Sequence, residues 1–358
     1  MVLKSAIAAN PTGSAAYYYL GNLYYDKKRS DDAMDCFKRS AELNPKFPTV
    51  HRNLSLAYYN KLGKAGDAVR EIEKAHELDR SDARVLMELD KLLEKTGVSP
   101  KERLQRLEAE LETVKERDDL YLEYITLLNL AGRNEEAYKL ITERKFHPWE
   151  GGEGKVPAQY VYSLVAMAKK ALDAGKYAKA GGILAKAYKY PENLGEGKLF
   201  GAQENQIDYF MGIACAGMGQ DDKAKAYFEK ASTGLSEPAS AMYYNDQPPE
   251  TIFYQGMALL ELGRDKEANS RFTKLVSYAD RHFDDEVKID YFAVSLPDFL
   301  VFDEDLEVKN KAHCLFMRGL GSLGKGEVKK ANMNFSAAKR LSGSHFGVNS
   351  HINLFLKK

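Results

Sequence analysis

The chain has no surplus of either charge. Its 358 residues hold 52 Lys+Arg against 52 Asp+Glu, so no uncompensated basic face is set aside for a phosphate backbone or anionic lipid, which argues against a dedicated nucleic-acid binder. No stretch approaches eighteen consecutive apolar residues, and the opening MVLKSAIAANPTG has one lysine and a short apolar run. Neither a membrane span nor an export signal is expected, and the chain should be soluble. Cysteine is scarce: Cys36, Cys215 and Cys314 are odd in number and far apart. That excludes a disulfide framework and points to a reducing compartment, so a cytoplasmic location is expected.

What the chain has in abundance is self-similarity. Residues 14–47 read SAAYYYLGNLYYDKKRSDDAMDCFKRSAELNPKF, with Tyr17, Leu20, Gly21, Tyr24, Ala33, Phe37 and Pro45 at fixed offsets. The register recurs through Leu54, Ser55, Tyr58, Ala68, Ile72 and Ala75 at 48–82 and through Met211, Gly212, Ala224, Phe228 and Ala231 at 205–238. It continues with Gly256, Gly263, Ala268 and Phe272 at 249–282, then with Gly319, Gly326, Ala331, Phe335 and Ala338 at 312–345. Weaker copies centre on Ala137 and Ile141, and on Gly175, Ala180, Leu184 and Ala187. The stretch 82–117 is helical but degenerate, with Ser99, Pro100 and Glu102 forming a helix start.

Helix-pair packing gives this pattern its meaning. A small residue such as Gly21 lets a first helix approach a second, Ala33 receives it, Phe37 and Tyr24 fill the space between pairs, and Pro45 stops the second helix. The offsets match a 34-residue repeat, and the chain resembles the tetratricopeptide repeat (TPR) family. The resemblance implies an all-α, right-handed α-solenoid of about seven helix hairpins with irregular loop insertions. Leu3, Ala6 and Pro11 occupy second-helix positions of the same register, so the chain is expected to start mid-repeat as a fragment of a longer protein, the alternative being a lone capping helix that happens to match. The expected organisation is 1–143, N-terminal repeats; 144–157, a Gly/Trp loop; 158–282, further repeats; 283–311, an irregular insertion; and 312–358, the last repeat with a cap.

Two loops interrupt the helical period. RKFHPWEGGEGKVP (144–157) holds the sole tryptophan, and YPENLGEGKLFG spans 190–201. Both carry Gly-Glu-Gly-Lys, both follow a second helix, and both should emerge on one edge. A phosphate loop is ruled out because Trp149 and Glu192 stand where its first glycine belongs and Val156 and Leu199 follow the lysines. His147, Glu150 and Glu153 lack a second histidine or a cysteine for a metal site, and their loop reads as an ordered one packing Phe146 and Trp149. Asp303, Asp305 and Glu307 alternate as in a calcium loop, but Val308 and Cys314 stand at the positions that need glycine and glutamate. With the apolar stretch 290–314, these loops resemble the C-terminal TPR portion of large bacterial proteins that carry an N-terminal carbohydrate-related domain of unknown function. That resemblance covers roughly residues 60–358. It places any sugar chemistry in the N-terminal part and lends no catalytic residue to this sequence.

In such repeats the first helix of each pair lines the concave face. One position in the later repeats reads Tyr162, Tyr209, Phe253 and Phe316, joined by Met257 and Leu320, an apolar line expected to form a partner groove or else to be core. The early repeats offer Tyr18, Asn22, Arg52 and Asn53 instead. Asn22 and Asn53 match the two asparagines with which some TPR co-chaperones clamp a peptide's terminal carboxylate, but Tyr18, Ala83 and Met87 replace the clamp's basic residues. An unpaired buried carboxylate costs several kcal/mol, so that mode is disfavoured. No G-x-S-x-G, H-E-x-x-H or oriented Cys/His pair occurs. The expectation is a non-catalytic scaffold for protein, peptide or interdomain contact, without cofactor, metal, nucleic acid or membrane. The alternative is an accessory domain in which Trp149, Glu150, Glu153, His147 and Glu196 complete the active site of an attached carbohydrate enzyme.

Overall fold

The computed structural model describes residues 2–149, 151–240, 246–288 and 301–356. Glu150 and much of the insertion at 283–311 therefore lie outside the described residues. All regular structure among the described residues is helical. The helices are α1 Val2–Ala9, α2 Ser14–Asp26, α3 Ser30–Leu43, α4 Pro48–Leu62, α5 Ala65–Leu78, α6 Ala83–Lys95, α7 Pro100–Ala109, α8 Leu111–Val114, α9 Asp118–Leu130 and α10 Asn134–Glu143. They continue as α11 Lys155–Asp173, α12 Tyr177–Ala187, α13 Asn205–Gly217, α14 Asp221–Ala231, α15 Pro249–Glu261, α16 Asp265–His282, α17 Leu306–Gly324, α18 Val328–Leu341 and α19 Phe346–His351, with a π turn over Ile352–Leu356. The fold is an α-solenoid of helix hairpins.

The chain divides into two compact units. One comprises Met1–Val98, Gln105–Tyr121 and Leu300–Glu304; the other comprises Ser99–Leu104, Leu122–Phe299 and Asp305–Lys358. In the first, α2 pairs with α3 and α4 with α5; in the second, α11 pairs with α12, α13 with α14, α15 with α16 and α17 with α18.

Four of these hairpins close on one device. A Cβ on Gly21, Gly212, Gly256 or Gly319 would stand 2.6, 2.4, 2.3 or 2.2 Å from the ring of Phe37, Phe228, Phe272 or Phe335 respectively. Each ring belongs to the second helix and sits four residues after a buried alanine, Ala33, Ala224, Ala268 or Ala331. That i,i+4 spacing stacks alanine and ring on one helix face, the alanine admitting the first helix and the ring filling the gap beside it. Burying each ring contributes on the order of 1.5–3 kcal/mol. Between the helices the chain must turn through a left-handed residue: Gly263 at φ 69° closes α15–α16, whereas Lys28 takes that conformation at φ 57° after α2.

Candidate functional site

An inner aromatic line runs through the first helices of the second unit's hairpins. Tyr162 lies on α11, Tyr209 on α13, Phe253 on α15 and Phe316 on α17, and they are 5, 6, 0 and 2 % exposed. Of the two expectations for this line, a partner groove or core, the burial of all four rings matches core. The chain's own end covers much of the line. Phe346 meets the Tyr162 ring edge-on at 4.8 Å, Phe355 meets Phe253 at 5.5 Å, and His351 lies 5.8 Å from Phe253 and 5.5 Å from Phe316. Leu354 joins Tyr162 and Ala166 in one apolar cluster. Polar contacts pin the same segment: Asn353 donates to the Leu130 carbonyl at 3.1 Å, and the fully buried Arg103 donates to Ser344 Oγ at 2.9 Å and to Glu123 at 2.6 Å. Met257 remains half-buried. Apolar rings in a row along four first helices are a cohesive surface, and residues 344–356 remove much of it from water.

Two histidines tie this covering to pH. His351 is 2 % exposed; its Nδ1 lies 2.8 Å from the Gly347 carbonyl and donates to it, while Nε2 has no partner among the described residues and the rings of Phe253, Phe316 and Phe355 surround the imidazole. A second proton would place a charge among rings, and burial pushes the pKa down to about 4. His345 Nδ1 accepts the Val348 N–H at 3.2 Å, capping α19, so protonation there removes the acceptor; burial first and His313 second push its pKa down to about 4. An unfolded imidazole titrates at about 6.5. Between that pH and about 4 the unfolded chain binds more protons, so stability is fully present above the window and is lost as pH falls through it. At ~1.4 kcal/mol per pH unit, His351 alone accounts for roughly 3 kcal/mol. Thermal melts from pH 7 to pH 4 should show the second unit weakening, and His351→Phe should flatten that dependence; an identical slope in the variant would refute the assignment.

The first unit presents a different inner surface. Asn53 Nδ2 donates to Asn22 Oδ1 at 2.7 Å, Arg52 Nη1 donates to Asn53 Oδ1 at 3.2 Å, and Arg52 holds Glu88 with two bonds of 2.6 Å. Arg84 adds a bond of 3.0 Å to the same carboxylate, which is completely buried. The predicted residues Asn22, Arg52 and Asn53 thus form one connected polar row across α2, α4 and α6, with Tyr18 packed edge-on to Phe47 at 5.0 Å. The sequence reading missed Glu88; a glutamate in a helix otherwise looks like a solvated face, and only the opposing Arg52 reveals it. Arg52 is taken up by Glu88, so its guanidinium is already paired within the chain.

The two Gly-Glu-Gly-Lys loops meet within the second unit. The Gly154 N–H donates to Glu196 at 2.7 Å, the Phe146 N–H donates to the Asn193 carbonyl at 2.8 Å, and Asn193 donates to the carbonyls of Ile141 and Arg144. Trp149 lies over Gly152, where a Cβ would stand 2.2 Å from the indole. Burial raises the Glu196 pKa, the Gly154 N–H opposing it. His147 is exposed and Glu153 half-buried. No group of three His, Cys, Asp or Glu among the described residues is placed to hold a metal ion. Asp305 instead caps α17 by accepting the Val308 N–H at 3.0 Å. A neighbouring network was not foreseen: Tyr188 OH donates to the buried Asp208 at 2.6 Å and Lys230 donates to it at 3.0 Å, while burial holds that carboxyl above its ordinary range. No described helix is long and apolar enough to cross a membrane.

Comparison with known proteins agrees with the repeat register. Models of the tetratricopeptide repeat match residues 14–47 and 209–233, the α2–α3 hairpin and most of α13–α14. Among solved structures, the chain is similar to YrrB, described as a TPR protein with an unusual peptide-binding site, at 17% identity over 64% of this chain and 91% of that one, with a TM-score of 0.35. It is also similar to a tetratricopeptide repeat protein from Parabacteroides merdae, at 15% identity over 72% and 90% with a TM-score of 0.34. The C-terminal part of a TPR repeat-containing protein from Cytophaga hutchinsonii shares 16% identity over 73% and 94%, with a TM-score of 0.43.

Proposed function

We propose that this chain is a non-catalytic TPR scaffold that mediates protein–protein or interdomain contact, and that its partner surface is the polar inner face of the first unit around Tyr18, Asn22 and Asn53. The observation that carries this reading is the cover on the second unit: the aromatic line of α11, α13, α15 and α17 holds a segment of the chain itself. That repeat face is built to hold polypeptide, and the half-buried row on α2 and α4 is where the first unit offers side chains to a partner. TPR proteins typically mediate protein–protein interaction. The cytoplasmic setting belongs to the same proposal and is supported by three unpaired cysteines. The test uses Tyr18→Ala and Asn22→Ala, checked for unchanged melting, as baits beside the unsubstituted chain. A partner retained by the parent and reduced at least about ten-fold by both variants, as expected for ~1.4 kcal/mol at a contact centre, supports the surface; equal recovery removes it.

The paired loops keep a second reading open. Gly154 joined to Glu196 makes one ledge of the two Gly-Glu-Gly-Lys segments, the geometry needed if they complete the active site of an attached carbohydrate enzyme. Trp149→Ala should then lower turnover of that enzyme; unchanged turnover dismisses the idea.

A further inference from the structure

A short segment without helix or strand, residues 301–304, lies in the first unit although α4 is about 240 positions away in sequence. Asn60 grips its backbone on both sides of one residue: Nδ2 donates to the Val301 carbonyl at 2.9 Å, and Oδ1 accepts the Asp303 N–H at 2.9 Å. Between those bonds Phe302 is 1 % exposed, with its ring edge-on to Tyr59 at 5.3 Å and in one apolar cluster with Leu89, Leu92 and Leu93. Val301 packs on the rim of the same cluster, while Asp303 points to solvent.

Both ends of the Asn60 amide are spent on main chain, and the apolar pocket is spent on one ring. That is the division of labour in peptide recognition: backbone bonds hold any sequence, and a side-chain pocket selects. We propose that Asn60, Tyr59 and the α6 leucines form a binding site for an extended segment of a partner protein carrying a phenylalanine after an aliphatic residue and before a residue other than proline. In this chain Val301-Phe302-Asp303 fills the site in cis. Proline after the phenylalanine is excluded because Asn60 Oδ1 needs the N–H that proline lacks. The tethered segment competes at an effective concentration in the millimolar range, so a partner enters when the cis segment is displaced. This goes beyond the polar face around Asn22 and stands or falls separately from it.

The probe is a fluorescent LVFDED peptide, read by anisotropy against the full chain. Phe302→Ala, which vacates the pocket, should bind it at least ten-fold more tightly than the parent does. LVADED and LVFPED should fail to bind, and adding Asn60→Ala to Phe302→Ala should abolish binding. A folded Phe302→Ala chain that ignores LVFDED, or that binds LVADED equally well, overturns the proposal. A dimer formed on mixing the parent with Phe302→Ala assigns the slot to a second copy and overturns the partner as well. Should Phe302→Ala fail to fold, a benzophenone-bearing LVFDED peptide is crosslinked to the parent chain. Labelling of α4 and α6 that excess LVFDED but not LVADED suppresses supports the site, and labelling elsewhere refutes it.

Discussion

Phe253→Ala is expected to destabilise the second unit by about 3–5 kcal/mol, the range for removing a fully buried phenylalanine. The ring has no exposed surface and touches two layers at once: Phe272 of the partner helix at 6.2 Å on one side, and Phe355 and His351 of the chain's end on the other. Truncation therefore opens a cavity under the α15–α16 hairpin and removes an anchor of residues 344–356. Urea denaturation should record the loss of stability, and hydrogen exchange should show faster exchange at 346–356 than in α16. A loss below about 1 kcal/mol, or exchange unchanged at 346–356, would show that the segment is not held by this line.

Arg52→Ala should cost about 3–5 kcal/mol in the first unit, because it leaves the buried Glu88 carboxylate without its bidentate partner. Arg84 retains one bond of 3.0 Å to that carboxylate, which places the effect at the lower end of that range. The double variant Arg52→Met, Glu88→Leu should recover most of the loss, since two apolar groups need no pairing. If Arg52→Ala melts like the parent, the pair is not a buried one in solution. The same reasoning makes Arg52 unsuitable for mapping a binding surface, because its removal disturbs the unit itself.

The hairpins were legible because their cause is local. Ala33 with Phe37, Ala224 with Phe228, Ala268 with Phe272 and Ala331 with Phe335 announce a second helix and its packing face within five residues, and Gly21, Gly212, Gly256 and Gly319 announce the close approach. Register led only to the expectation that the two Gly-Glu-Gly-Lys loops share one edge; the bond from the Gly154 N–H to Glu196 is a tertiary fact. The state of the inner face was not legible. Tyr162, Tyr209, Phe253 and Phe316 have the same spacing whether water, a partner or the chain's own end lies against them.

Residues 344–356 carry no pattern that pairs them with α11 through α17; they form one short helix and a π turn, and their rings find partners up to about two hundred positions away. Asn60 likewise carries no mark of Val301 and Asp303. Sequence alone determined the hairpins α2–α3, α4–α5 and α11–α12 through α17–α18, because three- and four-residue periodicity is a property of neighbours. Tertiary structure alone decided what covers each face, because that depends on where a distant segment finds enough apolar area and satisfied hydrogen bonds to offset its loss of conformational freedom.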